Sequence, residues 1–330
     1  MTRDTTSRGC VLALDVGGTK MSLAAVDRQG GILQRNVIAS PARDPEKMLS
    51  SLLNLVSGGV ESCRAAGLEV EAVGIAAAGF ILQQDGLLLE SPNIAWSMVP
   101  LRGLVAEGAG LPVFLDNDAT AAAAGEHFAG AARGVDDFVY LTLGTGIGGG
   151  AFTGGRINRG YRGTAGEFGH MTLDPAGPMC GCGRRGCLEA LASGTALRRE
   201  AVRLASRDPG SILHRQCGID PVALTGEMVS DAAERGDRAA LGAFDNVGYY
   251  LGLGIINLVH IFDPEMVVLG GGMVGSGHLL MDKVRGAVAE RGISCLVRDV
   301  TIVISALGGD AGVIGAAAMA WEGIENEPAK

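Results

Sequence analysis

The chain has 330 residues, 47% hydrophobic and 19% charged, which is enough to bury a large core and suggests two lobes rather than one compact unit. A net charge of −9 leaves no basic footprint for nucleic acid or an anionic membrane. The apolar stretch Cys10–Leu14 is too short for a secretory signal and is broken by Asp15.

Residues 1–9 are polar and expected to lack structure. Val11–Leu14 reads as a buried strand entering Asp15-Val16-Gly17-Gly18-Thr19-Lys20, and Met21–Val26 resumes as a second strand, which puts the glycines in a hairpin turn. Such a turn offers backbone N–H groups to a phosphate, and Asp15 can hold Mg²⁺ through water; Asp-x-Gly-Gly also occurs in ordinary turns. The loop is not of the Walker A kind, because no Gly-Lys-Ser/Thr opens a helix. Ile32–Ala39 reads as a strand. Asp44–Ala66 carries Met48, Leu52, Leu55, Val56 and Val60 near helical spacing. Val70–Ala77 is a strand ending at Ala78-Gly79, followed by a connection to Pro92–Trp96, a short helix over Leu101–Ala109 and a strand over Pro112–Leu115. This order describes half of an α/β domain.

Asp116-Asn117-Asp118 then precedes an alanine-rich helix, Ala119–Gly130. Polar side chains at the C-terminal end of a strand face the crevice where α/β proteins bind ligands. Asp and Asn are also favoured helix caps, yet three in a row exceed what one cap needs. Phe138–Leu143 is the next strand, leading into Gly144-Thr145-Gly146-Ile147-Gly148-Gly149-Gly150, read as a loop, with Ala151–Gly155 returning as strand and turn. A dinucleotide-binding glycine motif would open a helix here, so that reading is rejected. The pattern instead repeats the one at Asp15, implying a duplicated fold with two phosphate loops and nucleotide between the lobes.

The densest part of the chain is Gly166–His170 with Cys180–Glu189, where three cysteines at C-x-C-x4-C spacing follow a histidine. Cys and His ligate tetrahedral zinc, and the intervening glycines let a tight loop gather the sulfurs, so His170, Cys180, Cys182 and Cys187 are expected to hold a structural zinc. Reduced loop thiols without metal are the alternative. Of the seven cysteines, Cys10, Cys63, Cys217 and Cys295 are scattered, as in free thiols of a reducing cytosol. Gly194–Arg207 and Thr225–Val259 read as mostly helical. Val247–Phe262 is the longest apolar run but falls short of the roughly 20 residues that span a bilayer. Gly248, Gly252 and Gly254 within it point to a closely packed core helix. Met266–Leu269 enters Gly270-Gly271-Gly272, a turn that can let a purine or ribose approach the backbone; Val300–Ser305 is the last strand and Ala311–Trp321 a small-residue helix.

Taken together, these motifs resemble the ROK family of the actin/hexokinase-like ATPase superfamily over nearly the whole chain, and within it the ATP-dependent bacterial glucokinases over Leu115–Glu126 and Gly166–Glu189. The resemblance implies an α/β, duplicated actin/ribonuclease H-like (hexokinase-type) fold of two lobes with an interlobe cleft. Residues 1–118 would form a small N-terminal lobe, on which a C-terminal helix over about 311–330 packs back, and 119–310 a larger lobe holding the zinc loop 166–189. It further implies that Asp118 is the base for a sugar hydroxyl, that Gly79, Asn117, Glu167, His170 and Glu189 contact the sugar, and that Asp15, Gly17, Gly18, Thr19, Lys20, Thr145, Gly146, Gly271 and Gly272 bind Mg-ATP. The implied activity is phosphorylation of a hexose at the 6-hydroxyl, with glucose as the expected substrate. Mannose, fructose, N-acetylmannosamine and N-acetylglucosamine are the nearest alternatives, to be decided by residues from Ala78 to Trp96, and polyphosphate is an alternative donor. Thr120 departs from the Asn common in the family, a change expected to tune sugar contacts. Some members are sugar-sensing repressors with a DNA-binding helix-turn-helix ahead of the first loop, where only about ten residues stand here. A cytoplasmic enzyme is expected, a homodimer or homotetramer with no nucleic-acid or membrane partner.

Overall fold

The computed structural model describes residues 8–91, 93–217 and 224–326, so residues 1–7, Pro92, 218–223 and the expected helix end at 327–330, together with the side chains of Arg8 and Cys217, lie outside the described residues. Its contacts divide the chain into two units, the first comprising 1–134, 156–166 and 309–330, the second 135–155 and 167–308. The first unit therefore runs past the boundary expected at residue 118. The reason is the helix after that position, whose small residues pack against the C-terminal helix.

In the first unit, β1 (Arg8–Val16) pairs antiparallel with β2 (Lys20–Val26), which pairs with β3 (Ile32–Ala39); on its other side β1 runs parallel to β4 (Leu68–Ala77), and β4 parallel to a strand over Val113–Asn117. Period-2 alternation gives this sheet two unlike faces. Leu12, Leu14, Leu23, Val73 and Ile75 join a core with Met48, Leu52, Leu55 and Val56 of α1 (Pro45–Ala65) and with Leu101 and Val105 of α2 (Leu101–Ala109). Alternate positions such as Ala13, Ala24, Ala72, Gly74 and Ala76 are small, and a Cβ on Gly74 would come within 1.9 Å of the Ala316 carbonyl oxygen. Backbone thus meets backbone on that face.

Between β4 and α2 lie three short strands, β5 (Phe80–Leu82), β6 (Leu87–Ser91) and β7 (Trp96–Val99), forming a separate antiparallel sheet. In sequence they look like a plain connection, because each is too short to show alternation. The strand over Val113–Asn117 is β8, and α3 (Asp118–Ala129) begins directly at its end.

In the second unit, β9 (Phe138–Leu143) pairs antiparallel with β10 (Ile147–Thr153) and parallel with the strand over Met266–Gly270, which runs parallel to that over Thr301–Ile304. With β11 (Arg156–Ile157) counted in chain order, these last two are β12 and β13. The connectivity of β1, β2, β4 and β8 is repeated by β9, β10, β12 and β13. One expectation is corrected: Gly148, Gly149 and Gly150 belong to β10 and not to the loop. A Cβ on Gly149 would sit 2.4 Å from the Phe168 ring and 2.9 Å from the Tyr140 carbonyl oxygen, so glycine serves strand packing here.

The helices of this unit are α4 (Leu188–Ala192), α5 (Gly194–Ala205), α6 (Ile212–Cys217), α7 (Gly226–Glu234), α8 (Arg238–Phe262), α9 (Gly277–Arg291) and α10 (Ser294–Val297). The expected helical stretch from Thr225 to Val259 is interrupted before α8, where Asp237 caps the new helix by accepting from Ala240 N. Among the described residues α8 alone is long and apolar enough to cross a membrane, yet Val247, Leu251 and Ile255 are fully buried in the unit's core. A Cβ on Gly248 or Gly252 would press on Lys283 and Ala287 of α9 at 2.5 and 2.6 Å, and one on Gly254 on Leu188 at 2.8 Å. The final helix, α11 (Ala311–Asn326), packs on α3 and on β1 and β4 in the first unit.

Candidate active site

The residues singled out from sequence fall into two sets, one in each unit. In the first, they cluster where the parallel strands β1, β4 and β8 end. Asp15 lies across from Ala76, and Ala76 across from Asp116, so Asp15, Gly79, Asn117 and Asp118 emerge from one edge of one sheet. Gly17 N donates to Lys20 O at 3.1 Å to close the β1–β2 turn, Ser40 Oγ donates to Gly17 O at 2.6 Å, and Ser40 N to Thr19 O at 2.9 Å. Gly18 is required by a close approach: a Cβ there would stand 2.6 Å from the Asn93 carbonyl oxygen. The side chains of Thr19 and Lys20 are exposed.

Asn117 is the N-cap of α3, its Oδ1 accepting from Ala119 N at 2.9 Å and Thr120 N at 3.2 Å. Its Nδ2 donates to Gly79 O at 3.0 Å, which leaves one amide hydrogen for a ligand. The same side chain thus caps α3 and ties its start to the Gly79 turn. Gly79 has φ +136°, and a Cβ would fall 2.6 Å from the Glu90 carbonyl oxygen, so the turn that presents its carbonyl to Asn117 needs glycine. Asp118 opens α3 and accepts from Ala119 N at 3.0 Å. Burial raises its pKa above the ordinary carboxylate value, against the lowering effect of the hydrogen bonds at the helix start. Asp15 is pushed up to about 6 by burial and by the charge of Asp118, with Lys20 pulling the other way. Two carboxylates raised by burial, Asp15 also by the charge of Asp118, suit a base and a cation ligand. The first turn of α11 reaches Asp15 as well, since a Cβ on Gly312 would lie 2.9 Å from Asp15 Oδ2.

In the second unit, two glycine turns leave the ends of neighbouring parallel strands. Gly144-Thr145-Gly146 follows β9 and Gly271-Gly272 follows β12, with Gly270 across from Thr142. Gly271 has φ +85°, and a Cβ there would meet the Leu143 backbone at 2.5 Å, so the two turns are in contact. Gly194 N donates to Gly144 O at 2.8 Å and Thr195 Oγ1 to Thr145 O at 2.9 Å, tying the first turn to the start of α5. Thr195 lies fifty positions from its partner, and no local pattern marked it.

The Cys/His segment forms one cluster. Nδ1 of His170 and the sulfurs of Cys180, Cys182 and Cys187 all lie within 4.8 Å of one another, with His170 Nδ1 3.7 Å from Cys180 and Cys182 3.7 Å from Cys187. A tetrahedral zinc with ligand bonds of about 2.0–2.3 Å puts its ligand atoms roughly 3.3–3.8 Å apart, so the donor set and the two 3.7 Å separations fit that ion. The backbone shapes the loop through Cys180 N to Arg184 O at 2.8 Å and Gly183 N to Cys180 O at 3.0 Å. Gly186 (φ +68°) could not carry a Cβ, which would fall 1.5 Å from the Asp174 carbonyl oxygen. Glu189, at the start of α4, accepts from Ile147 N at 3.1 Å through Oε2 and from the Cys180 thiol at 3.3 Å through Oε1. His170 Nε2 stands 3.8 Å from Glu167 Oε2, so the two ring nitrogens face different partners. Phe168 anchors the turn between them by an edge contact with Phe262, ring centroids 5.5 Å apart.

A glycine hairpin turn after the first strand of each unit, with carboxylates where the parallel strands end, defines the phosphoryl-transfer class with the duplicated α/β fold of the hexokinase-like and actin-type ATPases. Within that class the chain belongs to the ROK family, which it matches over residues 11–322. A glucokinase from Streptomyces coelicolor is 37% identical over 317 residues, 95% of this chain and 98% of its own. The crystal structure of a ROK family glucokinase from Streptomyces griseus with glucose and AMPPNP is 37% identical, has a TM-score of 0.82 and covers 95% of this chain and 100% of its own. A ROK family transcriptional regulator, a homologue of the E. coli MLC protein, has a TM-score of 0.86 at 27% identity, covering 94% of this chain and 78% of the regulator.

Proposed function

We propose that this chain is an ATP-dependent hexose kinase that transfers the γ-phosphoryl group to the 6-hydroxyl of glucose. The observation that carries the reading is the carboxyl of Asp118: it sits at the start of α3, next to an Asn117 fixed to both the helix and Gly79, with its pKa raised by burial. The glucokinase relatives, similar over nearly their full length, supply the substrate.

A sugar hydroxyl is a far weaker acid than a carboxylic acid, so Asp118 does not remove the proton before attack. In a loose phosphoryl-transfer transition state the proton leaves late, and the raised pKa makes Asp118 a better acceptor at that moment. General-base assistance contributes roughly 10²–10⁴-fold, and alignment of the two substrates several kcal/mol more. Asn117, Gly79, Glu167, His170 and Glu189 are assigned to the sugar. The turns at Gly17–Lys20, Thr145–Gly146 and Gly271–Gly272 are assigned to the nucleotide phosphates and ribose, and Asp15 to Mg²⁺. Zinc on His170, Cys180, Cys182 and Cys187 would have four protein ligands and no open position, so it would staple the loop that carries His170 and Glu189. An assembly of two or four chains accompanies this reading.

The test is a coupled assay that detects only glucose 6-phosphate, run with ATP and with polyphosphate. Product formed with ATP supports the reading, and product formed with polyphosphate alone changes the donor. A chain that binds glucose with no turnover under either donor would instead be a sugar-sensing regulator, the reading favoured by the fold likeness to the MLC homologue.

A further inference from the structure

Asp116 is the member of the Asp116-Asn117-Asp118 run to which the kinase reading gives no task. Its side chain is only 2% exposed, and Oδ2 accepts from Arg159 Nε at 2.7 Å. Its Oδ1 accepts from the backbone N–H of Asn117 at 2.9 Å. A carboxylate held this far from water is costly unless paired, and apolar replacements of such pairs are often as stable, so stability alone does not account for the pair. Arg159 belongs to the segment 156–166, which follows β10 in sequence but packs in the first unit. That segment is folded on itself: Asn158 Oδ1 accepts from Gly160 N at 3.1 Å, and Arg159 O accepts from Ala165 N at 3.1 Å. Further on, Gly163 (φ +84°) lies against Gln83, where a Cβ would come within 3.2 Å of the Gln83 backbone N. The segment then runs through Gly166 into Glu167.

We propose that Asp116 and Arg159 are a positioning pair for phosphoryl transfer. Through the bond to Asn117 N, the ion pair sets the backbone that aims Asn117 and Asp118. Through Arg159, it fixes the segment that leads in sequence into Glu167. The inference rests on the kinase reading and deepens it, since neither residue touches substrate.

The experiment compares steady-state kinetics and thermal midpoints of the wild type with Arg159→Lys, Arg159→Met, Asp116→Asn and the double variant Asp116→Asn/Arg159→Met. Misplacing reacting groups by about 1 Å can cost on the order of 10²-fold. Arg159→Met and Asp116→Asn are therefore expected to lower kcat by about tenfold or more and to raise KM for glucose while leaving KM for ATP within about twofold. Arg159→Lys keeps the charge without the planar fork and recovers part of kcat. The double variant has no unpaired buried charge, so it regains the thermal midpoint but not kcat; if a single variant does not fold, this one carries the test. Kinetic constants within about twofold of wild type in the folded variants, or a kcat restored along with the midpoint in the double variant, would overturn the proposal. A wild-type chain that phosphorylates no hexose would remove the kinase reading first, and this inference with it.

Discussion

Asp118 and Asp15 have opposite needs at the level of single side chains. Truncating Asp118 to Ala removes the proton acceptor without touching the cap that Asn117 makes, so kcat should fall by roughly 10²–10⁴-fold while calorimetry still detects glucose binding. A wild-type kcat in that variant would refute the assignment. Asp15 makes a prediction about stability. The unfolded chain releases this proton near 3.8 and the folded chain near 6, so the native state binds more protons in between and stability falls as pH rises through that window. Asp15→Asn should therefore melt at least about 2 °C above wild type at pH 7, with the gap closing toward pH 4, while losing activity. An equal or lower midpoint at pH 7 would show that Asp15 is not strained in its charged form. Much of this chemistry was legible in the sequence, because a polar run after an apolar strand is itself the signal. Arg159 was not legible: it stands 43 positions from Asp116, and only the folded segment brings its guanidinium to that carboxylate.

The Cys/His loop has its backbone set by its own hydrogen bonds and glycines, but three thiol-bearing side chains and an imidazole are gathered within 4.8 Å. Cys182→Ser should lose bound zinc in metal analysis and raise KM for glucose more than it lowers kcat, because His170 and Glu189 lose their common anchor. Zinc-free wild-type protein with normal glucose KM would contradict this. The α3–α11 contact depends on small residues, and a Cβ on Gly315 would fall 1.7 Å from the Ala121 carbonyl oxygen. Gly315→Ala should destabilise by about 1–3 kcal/mol or more, as overpacked interiors do, which a denaturant midpoint will show. No change would mean that the helices can separate freely. The C-x-C-x4-C spacing of the cysteines made the loop readable in advance, whereas the glycines of β10 misled. A glycine-rich run after a strand looks the same whether its backbone faces a phosphate or, like Gly149, the ring of Phe168.

Across the whole molecule the repeated hairpin was the most informative feature, because the same strand–turn–strand pattern at Asp15 and at Gly144 requires a duplicated sheet, and the two sheets do share one connectivity. The short strands β5 to β7 carry no such periodicity, and they include much of the Ala78–Trp96 stretch expected to choose among sugars. Substrate preference is thus the property that sequence pattern reached least. Family membership narrows it without deciding it, since both glucokinases and transcriptional regulators share this fold. The most direct test is kcat/KM with Mg-ATP across glucose, mannose, fructose, N-acetylmannosamine and N-acetylglucosamine. The account predicts turnover with glucose highest and the product phosphorylated at the 6-position; a higher kcat/KM for any other sugar in the set, or none for all five, would contradict it.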